Sequence, residues 1–233
     1  MTATPAQRLS AIVPLPLADH AAAVFQPLAG QAPLARVVRD CLDAVADPAR
    51  VVVSVAEHLA GDVRDLLTRE GMAAVAVAVA EGPAARAQCL AAALEHVVSQ
   101  PFSAPFVLVH DVRQPLTPPD LRDRVIARLV DGAPVVLPVL PVTDSVKVVD
   151  DRGAVITSLD RSTLQAVQFP RGFAADHLAR LLAESAGEFD EAVAAIRSAT
   201  PITTVDGDAE AVLAELPHDS EFLEALIASR RSC

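Results

Sequence analysis

The sequence has no tryptophan, no tyrosine and only one lysine, Lys147, among its 19 basic residues. Proteins that bind single-stranded nucleic acids stack the bases on aromatic side chains and neutralise the phosphates with lysine and arginine. This chain has seven phenylalanines, a formal net charge of −11 and no stripe of basic residues, so we exclude nucleic acid as its partner. The single lysine also excludes any mechanism that needs two.

Cysteines and long apolar runs are scarce as well. The three cysteines, Cys41, Cys89 and Cys233, are far apart and odd in number, which suits a reducing compartment and neither a disulfide framework nor a zinc site. The N-terminal segment lacks the apolar stretch of a signal peptide. The longest uninterrupted apolar run, residues 72–80, is too short to cross a bilayer. We therefore expect a cytoplasmic protein without a membrane partner.

Apolar residues make up 52% of the chain, and they come in short runs separated by segments with helical spacing. We predict strands over residues 11–13, 51–55, 73–80, 106–109, 134–140 and 202–205, and helices over residues 34–45, 58–68, 83–98, 120–130, 172–183, 191–198 and 220–228. Pro83 suits the first turn of its helix, and residues 15–24 are expected to form a loop. Strands that alternate with helices through short connections predict an α/β fold with a doubly wound, mostly parallel sheet.

The pattern changes between residues 141 and 171. Short β-rich pieces occupy residues 145–149, 155–158 and 164–168, and turn residues separate the first two. This spacing predicts a hairpin-like arm instead of another strand–helix unit. Because we find no internal repeat and no low-complexity linker, we expect a single domain over residues 1–233, with residues 141–171 as the arm.

Asp111 follows the apolar run Phe106-Val107-Leu108-Val109, which is typical of a strand buried on both faces. A carboxylate just past the end of such a strand stands where open α/β sheets bind their ligands. It is also a hard oxygen ligand of the kind that Mg²⁺ takes when it shares a substrate phosphate. A role in capping the strand or starting a turn explains the same position.

Three segments carry a family resemblance: Val-Leu-Val-His-Asp ending at Asp111 ahead of Pro115, Val-Leu-Pro-Val-Thr-Asp-Ser-Val-Lys ending at Lys147, and Arg161 followed by Ala-Val-Gln-x-Pro-x-Gly-Phe. Together they resemble the 2-C-methyl-D-erythritol 4-phosphate cytidylyltransferases. The resemblance covers nearly the whole chain. It implies a Rossmann-like nucleotidyltransferase fold with a protruding β-arm, the use of CTP and Mg²⁺ in non-mevalonate isoprenoid biosynthesis, and a homodimer whose arm reaches the neighbouring active site.

The first nucleotide motif of this family, Ala-Ala-Gly-x-Gly-x-Arg followed by Pro-Lys, is changed here. Matching Phe25 and residues 28–31 to the family's downstream residues puts Leu17 and Asp19 at the two glycines, Ala21 at the arginine and Ala23 at the lysine. Side chains therefore stand where the backbone should approach the triphosphate closely, and two cations are lost.

The second motif, Gly-Gly-x-x-Arg-x-x-Ser, keeps Gly82 and Arg86. Pro83 replaces a glycine, and Cys89 stands at the hydroxyl that contacts the base in the family. The resemblance thus places the nucleotide beside Leu15, Gly82, Arg86 and Cys89. For Arg86, an exposed helix charge explains the position equally well.

The substrate positions are mixed. Asp111 matches the Mg²⁺ ligand, but Gln114 stands at the family's arginine and Arg113 comes one residue early. The resemblance further assigns the substrate to Asp144, Ser145 and Arg161, with Arg161 donated across the dimer, and it puts Leu213 at the last family lysine. A solvated hairpin face is the alternative for Lys147 and Arg161. Phe169 and Arg171 also depart from the family's Thr-Pro-Gln.

The missing cations at Ala21, Ala23 and Leu213 decide the functional expectation. Removing one preorganised charge-stabilising donor costs about 3–4 kcal/mol of barrier, so a loss on the order of 10⁴-fold or more follows. We expect weak or no activity and a binding or regulatory role, as a homodimer through the arm or a heterodimer with an active paralogue. Two alternatives stay open: an active enzyme that relies on Arg86, Arg113, Lys147 and Asp111, and a nucleotidyltransferase of altered substrate.

Overall fold

A computed structural model describes residues 4–16, 21–100, 104–185 and 188–231, and residues 21 and 231 by backbone only. The strands are β1 (Leu9–Leu15), β2 (Val51–Ala56), β3 (Ala76–Ala80), β4 (Phe106–Val109), β5 (Val135–Pro141), β6 (Val146–Val149), β7 (Val155–Leu159), β8 (Gln165–Val167), β9 (Arg171–Ala174) and β10 (Ile202–Asp206). The helices are α1 (Pro33–Ala44), α2 (Ala60–Arg69), α3 (Arg86–Ser99), α4 (Pro119–Val130), α5 (Ala175–Ala183), α6 (Glu191–Arg197) and α7 (Ser220–Arg231). Short 3₁₀ helices include Ala21–Phe25 and Arg161–Thr163.

The central sheet has the strand order β10-β5-β9-β4-β1-β2-β3, and β8 pairs with β5 outside this path. β4, β1, β2 and β3 run parallel, and so do β5 and β10. Successive residues of β1 face opposite layers: Ala11 and Val13 pack in the core with α1, α2 and α4, and Ile12 packs in the core with α3, α5 and α6. The predicted doubly wound, mostly parallel α/β sheet is confirmed.

Strand β9 corrects the predicted helix over residues 172–183. Residues Arg171–Ala174 lie antiparallel between β4 and β5, and helix α5 begins only at Ala175. Gly172 fits this slot because a Cβ there would come within 2.7 Å of Val125 and 2.8 Å of Leu129 on α4. β4 and β5, which are distant in sequence, flank β9 on both sides. Pairing with them outweighs the local helical spacing of residues 172–174.

The start of α3 is a second correction. The predicted helix over residues 83–98 begins at Arg86, so Pro83 lies outside its first turn. Gly82 (φ +68°) and Ala84 (φ +49°) adopt left-handed backbone angles that a right-handed helix cannot include. The Gln88 side chain accepts the Ala85 N–H at 2.7 Å and closes the first turn. β3 likewise begins at Ala76, three residues later than predicted.

Strands β6 and β7 form a two-stranded sheet that is separate from the central one. We call this pair the arm hairpin. It lies within residues 141–171, where the sequence predicts an arm, and the division of the chain into one domain with an arm stays a prediction. Five apolar side chains of the hairpin are 36–65% exposed: Val148, Val149, Val155, Ile156 and Leu159. Over the described ranges, no helix is long and apolar enough to cross a membrane.

Candidate active site

The carboxyl ends of β1 and β4 lie side by side in the sheet, because β1 pairs in parallel with β4. In open α/β sheets, ligands bind outside these strand ends, where the order of the strands reverses. His110 and Asp111 follow β4 directly, and helix α3 supplies Arg86 as its first residue. The fold therefore brings the predicted Asp111 and Arg86 to one edge of the sheet.

The Asp111 side chain is 4% exposed, and both of its carboxylate oxygens accept hydrogen bonds from arginine. Oδ1 accepts from the backbone N–H and the Nε of Arg113, both at 3.0 Å. Oδ2 accepts from Nη2 of Arg113 and Nη1 of Arg86, both at 2.9 Å. Burial raises the pKa of this carboxyl, but the bonds from Arg113 and the charges of both arginines outweigh burial and lower the pKa to about 2. The side chain is a fully engaged carboxylate.

The pairing continues from Arg86 to helix α6. Nε of Arg86 donates to Oε1 of Glu191 at 2.8 Å, and Nη1 of Arg171 donates to Oε2 of Glu191 at 2.6 Å and to Asp190 at 2.8 Å. The Glu191 side chain is 0% exposed. With Asp111 and Arg113, these residues form what we call the ionic network, in which three guanidinium groups face three carboxylates. The network is therefore neutral as a whole.

Phe169 lies inside the ionic network. Its ring centroid is 5.2 Å from the guanidinium carbon of Arg86 and 4.1 Å from that of Arg171. A ring between two such cations is stabilised by the attraction of positive charge to its face. Phe169 and Arg171 are the residues that depart from Thr-Pro-Gln in the resembled family, and they build this part of the site.

A cleft of about 350 Å³ opens beside the network. Its walls are mostly apolar and are formed by Pro14, Leu15, Pro16, Val24, Phe25, Leu59, Val112 and Leu216, with Arg86, Asp111, Arg113 and Glu215 as the polar lining. Among these described lining residues only Arg86 and Arg113 are basic, and both are paired with Asp111. The Arg113 side chain is 53% exposed and faces solvent with part of its guanidinium.

Similarity to known proteins agrees with this geometry. A family model described as IspD, 2-C-methyl-D-erythritol 4-phosphate cytidylyltransferase, matches residues 17–229. The chain belongs to the IspD family.

Two curated relatives carry the name 2-C-methyl-D-erythritol 4-phosphate cytidylyltransferase. The protein of Rhodococcus jostii (strain RHA1) is 37% identical over 212 residues, which cover 91% of this chain and 89% of the relative. The protein of Frankia casuarinae is 38% identical over 185 residues, and the match spans 79% of this chain but only 63% of the relative's length.

Solved structures show the same architecture. A 4-diphosphocytidyl-2C-methyl-D-erythritol synthase superimposes with a TM-score of 0.77 at 23% identity, covering 94% of this chain and 98% of that one. The 2-C-methyl-D-erythritol 4-phosphate cytidylyltransferase of Thermus thermophilus gives a TM-score of 0.71 at 26% identity over the same shares of the two chains. The IspD nucleotidyltransferase fold is thereby confirmed.

The structure describes only part of the first IspD motif, including Leu15 and Ala23. Leu15 ends β1, is 5% exposed and lines the cleft with a hydrocarbon side chain. Ala23, which the resemblance puts at the family lysine, is 6% exposed within the 3₁₀ helix Ala21–Phe25. Leu17, Asp19 and the side chain of Ala21 lie outside the described residues. The described part of the motif offers apolar surface where IspD relatives are expected to offer charge.

The second IspD motif turns inward at Cys89. Its thiol is buried and lies 3.6 Å from the Leu15 carbonyl and 3.4 Å from the Ala84 carbonyl. Burial raises its pKa to about 11, so it stays a neutral thiol. Gly82 keeps its left-handed angle ahead of α3. The structure thus gives Cys89 a packing role and no exposed hydroxyl-like contact for a base.

Gln114, which the resemblance places at the family arginine, makes structural hydrogen bonds. Gln114 is buried, its Nε2 donates to the Ala211 carbonyl at 2.9 Å, and its Oε1 accepts the Phe169 N–H at 2.5 Å. Leu213 is 56% exposed, and the next residue, Ala214, donates its N–H to the Arg113 carbonyl at 2.8 Å. The segment that contains Leu213 is therefore hydrogen-bonded to the Arg113 backbone, but residue 213 carries no charge.

The arm residues are exposed and separate from the ionic network. Asp144, Ser145, Lys147 and Arg161 are all exposed. Nζ of Lys147 donates to Ser158 at 2.6 Å, and Arg161 donates to the Thr143 carbonyl. Within the described part of this chain, none of their hydrogen bonds or ion pairs involves the network. Their assignment to a substrate depends on a second chain and stays a prediction.

Sequence reasoning did not predict the roles of Asp190 and Glu191. Asp190 caps α6, because its carboxylate accepts the N–H groups of Ala192 and Val193 at 2.9 and 3.0 Å. An acidic pair at a helix start is the ordinary pattern of a cap. The sequence therefore holds no sign that the second acid, Glu191, turns inward to two arginines.

A second buried cluster supports the Asp111 turn from behind. Nδ1 of His110 accepts the Asp111 N–H at 2.8 Å, so the neutral ring carries its proton on Nε2, which lies 3.7 Å from Asp40. Arg122 donates to the Asp40 carboxylate at 2.6 Å. Burial raises the Asp40 pKa to about 6 and lowers the His110 pKa to about 4. This cluster was also not predicted.

Proposed function

We propose that this chain keeps the fold of an IspD cytidylyltransferase but transfers the cytidylyl group weakly or not at all, and acts by binding a ligand or a protein partner. One observation carries the proposal. Arg86 and Arg113 are the only basic residues among the described lining of the cleft, and both are already bound to Asp111.

The chemistry explains why this matters. In the family reaction a phosphate oxygen of methylerythritol phosphate attacks the α-phosphorus of CTP, and pyrophosphate leaves. Such a step depends on positioning and on cations that neutralise the phosphate charge. The positions that match the family cations hold Ala21, Ala23 and Leu213. In the described lining a triphosphate would find only two arginines, and each already shares its charge with Asp111.

Arginine also occupies the oxygens of Asp111 that Mg²⁺ would need. The family predicts this residue as the ligand of Mg²⁺ bound with CTP, but both carboxylate oxygens already accept from arginine. Within the described ranges, no three His, Cys, Asp or Glu side chains come together as an alternative metal site. The residues as arranged do not fit the ion, so we derive no step through it.

The test is pyrophosphate release from CTP, methylerythritol phosphate and Mg²⁺, with the Rhodococcus jostii relative as positive control. We expect a turnover on the order of 10⁴-fold lower than that of the relative. Calorimetric titration of CTP and Mg²⁺ into the chain should give no micromolar binding. Turnover within about tenfold of the relative would end the proposal.

An active enzyme is the second candidate. The relatives that carry the enzyme's name are 35–38% identical to this chain, and Arg86, Arg113 and Asp111 do meet at the cleft. Rescue of a bacterial strain that lacks the enzyme would favour this candidate, and failure by well-expressed protein would remove it. The third candidate is a nucleotidyltransferase that acts on a different substrate. A screen for phosphate or pyrophosphate release without methylerythritol phosphate separates it from the other two.

We propose further that the arm hairpin is an interface, formed with a second copy of this chain. The support is its isolation from the central sheet and its exposed Val155 and Ile156, at 62% and 65%. A two-stranded hairpin without a packing partner is marginally stable. Light scattering on the purified chain should give twice the mass of 24.3 kDa. A strict monomer would favour a heterodimer with an active paralogue, tested by co-expression.

A cytoplasmic location is also part of the proposal. Cys41 and Cys89 are buried free thiols, as expected for a chain that folds in a reducing compartment. Fractionation of the source cells would test this location.

A further inference from the structure

We infer that the cleft beside the ionic network binds a small, mostly apolar molecule that carries at most one negative charge, held at Arg113. This inference rests on the proposed function, because it names a ligand class for a cleft that does not turn over CTP. It differs from the family expectation of a nucleoside triphosphate in that same part of the fold.

The walls give the first reason. Leu15, Val24, Phe25 and Leu59 present hydrocarbon side chains to the cleft, and Val112 and Leu216 complete its apolar lining. A volume of about 350 Å³ lies within the range of small-molecule sites. Apolar walls favour a ligand in proportion to the apolar area that it removes from water. They offer no hydrogen bonds to the many oxygens of a triphosphate.

Charge gives the second reason. Three residues of the ionic network, Arg86, Asp111 and Arg113, line the cleft. Arg86 has little freedom, since its side chain is 13% exposed and is bound to both Asp111 and Glu191. Glu215 adds a carboxylate to the lining. The two positive and two negative charges of the lining therefore balance, and a polyanion that meets this lining and the apolar walls is disfavoured.

Arg113 gives the third reason, and it limits the ligand to one charge. Its Nε and Nη2 are bound to Asp111, but its side chain is 53% exposed at the cleft. The exposed part can donate to one carboxylate or sulfonate without breaking the pair with Asp111. The ligand class is thus an apolar body with a single anionic or acceptor group.

The probe is 8-anilinonaphthalene-1-sulfonate, an apolar molecule with one negative charge, and its neutral counterpart is N-phenyl-1-naphthylamine. The chain has no tryptophan or tyrosine, so probe fluorescence is measured without that background. We expect one probe molecule per chain at micromolar concentration, confirmed by calorimetry. Millimolar CTP with Mg²⁺ should not displace it. Displacement by CTP, or no saturable binding, would overturn the inference.

Two variants locate the probe, each with a matched control. Phe25→Gln in the cleft wall should weaken binding of both probes about tenfold or more, and Phe222→Gln, at a residue 52% exposed on α7, should not. Arg113→Gln should weaken the sulfonate about tenfold but leave the neutral probe unchanged, and Arg128→Gln, 58% exposed on α4, should change neither. Thermal melting checks that each variant is folded.

The arm hairpin is the competing apolar surface. If Ile156→Thr removes probe binding and Phe25→Gln does not, the site is on the hairpin and the inference is wrong. The outcomes also separate the two proposals. Pyrophosphate release from CTP at a turnover within about tenfold of the relative would refute the proposed function whatever the probe does. A chain without such turnover that also fails to bind the probe would refute only the ligand class.

Discussion

The cleft and the arm hairpin hold their charged and apolar groups in opposite ways. At and behind the cleft, Arg86, Asp111 and Glu191 are at most 13% exposed, and each is bound to an opposite charge. On the arm, Lys147 and Arg161 are exposed and so are the apolar side chains of the hairpin. The charged side chains beside the cleft are paired within one chain, although Nη2 of Arg86 and Nε of Arg171 are buried donors without a partner among the described residues. The hairpin instead leaves apolar side chains exposed.

The largest effect is expected from breaking the ionic network at its buried end. Glu191→Ala would remove the buried carboxylate that Arg86 and Arg171 share. Removal of one partner from a buried ion pair costs about 3–5 kcal/mol of the free energy of unfolding. Urea unfolding followed by circular dichroism measures this loss. Glu188→Ala, at an exposed residue three positions earlier, is the control and should stay within about 0.5 kcal/mol.

A smaller effect is expected when acid discharges Asp111. Its pKa falls from 3.8 to about 2 in the folded chain, so its stabilisation is present above about pH 4 and is lost as the pH drops toward 2. The shift corresponds to roughly 2 kcal/mol. Urea midpoints of the parent and of Asp111→Asn between pH 5 and pH 2 should converge as the pH falls.

The matched control for this titration is Asp131→Asn, whose side chain is 69% exposed. It should follow the parent at every pH. Asp40 has the opposite effect on stability. Burial raises its pKa from 3.8 to about 6, so the fold loses stability as the pH rises from about 4 to about 6. A constant gap between the parent and Asp111→Asn down to pH 2 would contradict the engaged carboxylate.

The smallest effect on folding stability is expected on the arm. Ile156→Thr changes a side chain that is 65% exposed, so the free energy of unfolding of the monomer should move by about 0.5 kcal/mol or less. The same change should shift light-scattering mass from dimer toward monomer. Val98→Thr, at a residue 65% exposed on α3, is the control and should leave the mass unchanged. An unaltered dimer in Ile156→Thr would remove the hairpin as the interface.

The central strands and several helices are predictable because their patterns are local. The Val-rich run over residues 51–55 becomes β2 (Val51–Ala56), and the helical spacing over residues 34–45 becomes α1 (Pro33–Ala44). β9 was not predictable, since Arg171–Ala174 pairs with strands that begin 65 and 36 residues earlier, at Phe106 and Val135. Its short sequence competes with a helical pattern that continues into α5.

The candidate site divides in the same way. The candidate residues Asp111 and Arg86, and the uncharged Ala23 and Leu213, follow from the sequence, because they depend only on which residue stands at which position. Only the tertiary structure decided that Glu191 binds Arg86, 105 residues away, and Arg171, 20 residues away. Ion pairs require atoms within a few ångströms, and that proximity is set by strand order and by the inward turn of α6. Residue types are fixed along the chain, but their partners are fixed by packing.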